Sequence, residues 1–191
     1  MIKTKKGEQS KQNIIECAAE LFLQNGYNAT GINDILKITG LPKGSFYFHF
    51  ASKKDLAIQV SIYFEEKFCG WIEKTAAQKK WPAFITDLIA DMIKGAENNM
   101  NYGCPFAVLG LEIAFSEPEI STHYYQSMHH LISIFTSVLK FSGVSDEKLD
   151  KLSNRAFAIY EGYLLYYRVG KEISALKRMK KDLIELYEES M

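Results

Sequence analysis

The chain has 191 residues, room for one domain or two small ones. Hydrophobic residues make up 47% and charged residues 24%, a globular balance that excludes a chain disordered throughout. Lys plus Arg and Asp plus Glu each number 23, and a net charge of zero argues at face value against a nucleic-acid partner.

The opening residues, Met1 to Lys11, are polar and basic and lack the apolar core of a signal peptide. A first helix is expected from about Ser10 to Asn25. Ile14, Ile15, Ala18, Leu21 and Phe22 recur there at helical spacing, and Asn25-Gly26 supplies the stop. A second helix is expected over about Ile32–Thr39, capped by Thr30 or Gly31 and ended by Gly40. A third begins at Pro42, a residue suited to a first helical turn, and carries Phe46, Tyr47 and Phe50. Ile14, Ala18, Phe22, Ile32, Ile35, Phe46 and Phe50 form the expected core. Helices this short around the tight turn Thr39-Gly40-Leu41 read as a helix-turn-helix. Further helices follow at about 52–79 (capped by Ser52), 82–99, 104–115, 118–142, 146–170 and 174–190. No segment alternates as a strand does. The expected fold is therefore all-α: a three-helix head over residues 1–55, then a larger helical domain over residues 56–191.

The zero net charge is a sum of unlike parts. Residues 1–55 hold eight lysines and five acids, so the head is +3 and the remainder −3. A basic head is an electrostatic footprint for DNA. On a helix starting near Pro42, Phe46 and Phe50 face inward, and Lys43, Ser45, Tyr47 and His49 fall on or near the outer side. These are hydrogen-bond donors, suited to phosphate oxygens and to the acceptor edges of bases. Gly44 lacks a side chain, so the backbone there can approach DNA closely. Lys53 lies in the first turn of the next helix, where a cation opposes the helix dipole and calls for a compensating anion such as phosphate.

Residues 10–60 resemble the DNA-binding domain of the TetR family of transcriptional regulators. The resemblance runs through Ile14–Phe22, Asn25-Gly26-Tyr27-Asn28-Ala29-Thr30, Ile35 and Gly40. Above all it runs through Lys43-Gly44-Ser45-Phe46-Tyr47-Phe48-His49-Phe50, followed by Ser52-Lys53 and Leu56. It implies that Lys43, Gly44 and Ser45 meet bases or phosphates, that Tyr47 and His49 contact the DNA backbone, and that Lys53 binds phosphate. Thr30 matches a phosphate-contacting position and Asn33 one that sometimes contacts DNA. Gly31 departs from the hydroxyl residue common there, which weakens the expected cap. The tail lysines (Lys3, Lys5, Lys6, Lys11) read either as further phosphate contacts or as a solubilising tail. The resemblance further implies a homodimer on a palindromic operator, with half-sites roughly 34–36 Å apart. It implies a repressor released by a small effector.

Tyr102-Gly103-Cys104-Pro105-Phe106 with Leu109, Leu111 and Glu112 resembles an element of the LmrA/YxaF-like branch of the family. Glu112 lies in an apolar run, Phe106 to Phe115, and a buried carboxylate needs a partner. Arg155, Arg168 or a ligand are the candidates. The many aromatics of the body suit a pocket for a lipophilic ligand, with Trp71, Phe106, Glu112 and Tyr163 as the candidate lining. The last two helices carry apolar stripes suited to a dimer bundle or to packing within one chain.

Catalysis, a cofactor and a metal are not expected. His123, His129 and His130 share a helix with Glu119, but Glu119 to His123 is i, i+4, unlike the Glu-x-x-His of di-iron bundles. Neither a phosphate loop nor a GxSxG elbow occurs. The rival readings are a ligand carrier without regulatory DNA binding and a helical-bundle enzyme. Three scattered cysteines and the absence of a long apolar run imply reduced thiols, no membrane span and a cytoplasmic location.

Overall fold

The computed structural model describes residues 5–98, 100 and 103–191, with side chains from residue 7 onward. Lys3, the side chains of Lys5 and Lys6, and Tyr102, all named in the expectations above, lie outside the described residues. The described residues form α1 (Lys5–Asn25), α2 (Ile32–Thr39), α3 (Lys43–His49), α4 (Lys53–Phe64), α5 (Gly70–Ala76), α6 (Trp81–Glu97), α7 (Pro105–Ile113), α8 (Pro118–Phe141), α9 (Asp146–Gly170) and α10 (Ile173–Glu188). Among them no strand occurs, so the all-α expectation holds.

The breaks follow local chemistry. Gly26 ends α1 at φ +92° and its N–H reaches Phe22 O at 2.9 Å. Gly40 ends α2 in the left-handed region, with its N–H on Leu36 O at 3.0 Å. Gly31 does cap α2, and the missing hydroxyl is made good from the other side. The Asp34 carboxylate reaches back to accept the Gly31 N–H at 2.7 Å. Pro42 sits one position outside α3, as its N-cap. Ser52 caps α4 as expected, its Oγ accepting the Asp55 N–H at 3.1 Å. The segment expected as one helix over 52–79 is helical from Lys53 to Ala76, but not α-helical throughout. A π-helical turn, Glu65–Cys69, separates α4 from α5, and Gln78 at φ +59° follows the end of α5.

The chain divides into two units. The first takes the chain up to Lys67 together with Pro105–Gln126, and the second takes Phe68–Cys104 with Ser127–Met191. A boundary at residue 55 thus falls inside α4, and α7 belongs with the head despite its place in the sequence. In the first unit α1 packs on α2, α3, α4 and α7. Ile14, Ala18, Phe22, Ile35, Phe46 and Phe50 are buried there as expected, while Ile32 is only half-buried. Phe46 and Phe50 meet at 5.4 Å between ring centroids.

In the second unit α10 packs on α9 and α6. Its core is aromatic: Trp81 meets Phe84 and Phe135 edge-on at 5.8 and 5.4 Å, and Phe135 meets Tyr160 at 5.7 Å. The Trp81 indole N–H donates to Leu183 O at 2.8 Å, and its backbone N–H to Ser142 Oγ at 2.7 Å. The largest side chain of this core is therefore both packed and hydrogen-bonded.

Candidate nucleic-acid interface

Helix α3 buries one edge and exposes the other. Phe46 is fully buried, which turns Lys43, Gly44 and Tyr47 to solvent, and Ser45 is half-buried. The Lys43 ammonium lies 5.9 Å from the centroid of the Tyr47 ring, so cation and phenol stand on one surface. A Cβ built on Gly44 would meet nothing within 4 Å, consistent with an open backbone. Asn33 is exposed on α2. Beside α3 lies a hollow of about 610 Å3 whose lining includes Ser10, Pro42, Gly44, Ser45, Phe48 and His49.

His49 does not simply project outward. It is half-buried, and its Nε2 lies 2.7 Å from Ser10 Oγ on α1. The Ser10 hydroxyl already donates to Gly7 O at 2.9 Å, so with its one hydrogen committed it accepts from the imidazole N–H. Ser10 was not singled out from the sequence. Its partner lies 39 residues away, and no local pattern links them.

Thr30 is likewise placed inside. It is buried and its hydroxyl donates to Gly26 O at 2.8 Å, so it shapes the turn before α2 and offers no free donor to phosphate. Lys53 is half-buried. Its ammonium lies 4.2 Å from the Tyr27 ring centroid and 3.5 Å from Asn28 O. Burial lowers its pKa, against the attraction of Glu112, Asp34 and Glu117. Neighbouring Lys54 pairs with Glu119 at 2.8 Å and Glu117 at 3.6 Å. Lys11 reaches Gln59 Oε1 at 3.2 Å.

Of the four candidate pocket residues, Phe106 and Glu112 belong to the first unit and Trp71 and Tyr163 to the second. Phe106 is fully buried in the first unit, 6.4 Å from the Tyr124 ring. Glu112 is exposed, and its carboxylate accepts the backbone N–H groups of Tyr27 at 2.8 Å and Asn28 at 2.7 Å. The expectation of burial fails because α7 has one open face, where Leu111 is 73% exposed. In the second unit the Trp71 indole N–H points to Asp91 Oδ2 at 3.4 Å, and the Tyr163 hydroxyl donates to Asp182 Oδ2 at 2.5 Å, a bond that raises its pKa.

The polar atoms without a partner lie elsewhere. Tyr160 Oη and Glu161 Oε1 are buried in the second unit with no hydrogen-bond partner. Burial pushes the Glu161 carboxyl up to about 7, with the Cys104 thiol hydrogen bond acting against it. Among the described residues no group of His, Cys, Asp or Glu is arranged to hold a metal, and no helix is long and apolar enough to cross a membrane.

Comparison with known proteins agrees with this geometry. Residues 14–60 match the family of bacterial regulatory proteins of the TetR type. Residues 82–182 match the C-terminal domain of LmrA/YxaF-like transcriptional regulators. The HTH-type transcriptional regulator LmrA of Bacillus subtilis is 26% identical over 183 residues, 93% of this chain and 96% of its own length. The HTH-type transcriptional regulator YxaF of the same organism is 26% identical over 176 residues, 91% and 92% of the two chains. A TetR-family regulator from Cytophaga hutchinsonii shares the fold at a TM-score of 0.85 and 20% identity, over 98% of this chain and 97% of that one. Helix-turn-helix head and helical body are both those of proteins that regulate transcription and are not enzymes. The chain therefore belongs to the LmrA/YxaF-like branch of the TetR family of DNA-binding transcriptional regulators.

Proposed function

We propose that this regulator is a cytoplasmic homodimeric repressor that sits on a palindromic operator and leaves it when a small lipophilic effector binds. The observation that carries the DNA reading is the exposed face of α3, where Lys43, Gly44 and Tyr47 stand free above a buried Phe46. Ser45, Asn33 and Lys53 extend that surface. His49 acts from its bond to Ser10, and Thr30 acts only by shaping the turn.

A dimer is supported by α9, which keeps Leu165, Tyr166 and Val169 exposed on one side. Apolar side chains in a row on a long helix call for a second surface. Two heads would each carry +3, and the acidic bodies would repel DNA and help orient the pair.

The effector reading is supported by Tyr160 and Glu161. Two buried polar atoms without partners, one of them on Tyr160 whose ring meets Phe135 and Phe157, are costly unless something supplies a hydrogen bond. A lipophilic molecule carrying a donor meets both requirements. It would release DNA only through a higher affinity for the conformation in which the heads are mis-spaced.

The Tyr47→Ala, Lys53→Ala double variant tests the DNA surface. It is expected to weaken operator binding by about tenfold or more, the worth of two hydrogen bonds of which one is to a charged group, while leaving the helical content and the dimer intact. Unchanged operator affinity removes these residues from the interface.

A further inference from the structure

Glu112 belongs to α7, yet both of its carboxylate oxygens are spent on the turn that follows α1. Oε2 accepts the Tyr27 N–H and Oε1 the Asn28 N–H. The fit is close: a Cβ added to Gly26, at φ +92°, would lie 2.8 Å from Glu112 Oε2. Only glycine combines that backbone conformation with room for the carboxylate. Two charge-assisted hydrogen bonds converging on successive N–H groups fix the turn's orientation as well as its position.

The other side of the same turn holds Lys53. Asn28 O accepts from its ammonium at 3.5 Å, and the Tyr27 ring lies beneath that ammonium at 4.2 Å. Both residues that cradle the lysine are thus the residues whose N–H groups Glu112 grips. The acids facing the ammonium are Glu112 itself, Asp34 and Glu117. A lysine on a short tether of this kind points one way, where a free lysine would sample many rotamers.

We propose that Glu112 is a positioning residue for DNA binding: by clamping the Gly26–Asn28 turn it holds the Lys53 ammonium where a DNA phosphate meets it. The inference rests on the reading of Lys53 as a phosphate contact. The turn lies at the surface, where Asn28 is exposed, so water replaces the carboxylate when it is removed. The head then stays folded and the loss falls on binding.

The test uses the full chain and a short duplex of mixed sequence, since phosphate contacts do not depend on sequence. Affinity is measured over a range of salt for the unchanged protein, K53A, E112Q and the double variant. A glutamine offers one acceptor and one donor, so it satisfies one of the two N–H groups and opposes the other. K53A is expected to lower the slope of log affinity against log salt by about 0.9 per protomer, the share of one phosphate. E112Q is expected to lower it in the same direction and to weaken binding about fivefold, the net worth of one hydrogen bond. The double variant is expected to bind no more weakly than K53A alone. A destabilised variant remains readable, because a fixed inactive fraction changes apparent affinity but not slope. Should the amide variant not fold, E112D, which keeps the charge but draws it back by one methylene, is read in the same way. If K53A changes the slope and E112Q does not, or if their effects multiply, the inference is overturned. If K53A itself leaves the slope unchanged, the reading of Lys53 as a phosphate contact falls, and the inference with it.

Discussion

Replacing Trp81 by Ala is expected to cost about 4 kcal/mol or more of unfolding free energy, enough to unfold a marginal domain. The side chain is fully buried against Phe84 and Phe135, so its loss leaves a cavity in the middle of the aromatic core. It also removes the indole N–H that Leu183 O on α10 accepts, in addition to the bonding of that carbonyl within its own helix. Trp81→Phe separates the two effects, because it removes the donor and keeps most of the ring; about 0.5–1.5 kcal/mol is expected from the lost hydrogen bond alone, since α10 still satisfies the carbonyl. Urea unfolding followed by far-UV circular dichroism measures both. A loss below about 1 kcal/mol for the Ala variant contradicts the packing described for the second unit.

The second large effect belongs to Glu161. Its carboxyl titrates at about 7 in the folded chain against an ordinary value of 4.5, because burial disfavours the charge. The folded state therefore keeps a proton that the unfolded state has released. The stability this provides is complete below about pH 4.5, falls as pH rises towards 7, and is gone above it. The span corresponds to something on the order of 3 kcal/mol. Glu161→Gln removes the titration, so the difference in unfolding free energy between the two proteins is expected to change by about that amount from pH 5 to pH 8. A difference that stays flat across this range contradicts a carboxyl buried in this way. The same titration reads the effector: a bound molecule that brings a donor or a positive charge to the carboxylate stabilises its ionised form and shrinks the pH dependence.

Much of the fold was legible because its punctuation is chemical. Gly26, Gly40, Pro105 and Pro118 stand at helix ends for reasons of backbone geometry that any sequence reader shares. The buried stripe of α1 is visible as a 3.6-residue period. The turn at Glu65–Cys69 was not legible, since none of its residues breaks a helix and a π-helical turn has no compositional mark of its own.

The exposed face of α3 was legible in part. Lys43, Gly44 and Tyr47 follow from the inward turn of Phe46, which periodicity predicts. Thr30 and His49 engage polar atoms within the head, on Gly26 O and on Ser10, which no local pattern shows. Glu112 is exposed, where its place in an apolar run suggests burial. Its acceptors are satisfied by backbone N–H groups some 85 residues earlier, and backbone groups carry no residue identity for a sequence to display. The pocket residues were the least legible. Aromatics fill cores and pockets alike, and the unpartnered atoms Tyr160 Oη and Glu161 Oε1 are revealed only by packing.

The central claim is that this chain reads a specific DNA sequence through α3. Genomic fragments should be passed over the immobilised protein at physiological salt in the presence of excess competitor DNA, and the retained fragments sequenced. Retention of a small set sharing one palindrome is predicted, with a site near the regulator's own gene and with retention falling steeply as salt is raised. If no fragment is held over competitor, the account of this protein as an operator-binding regulator is contradicted.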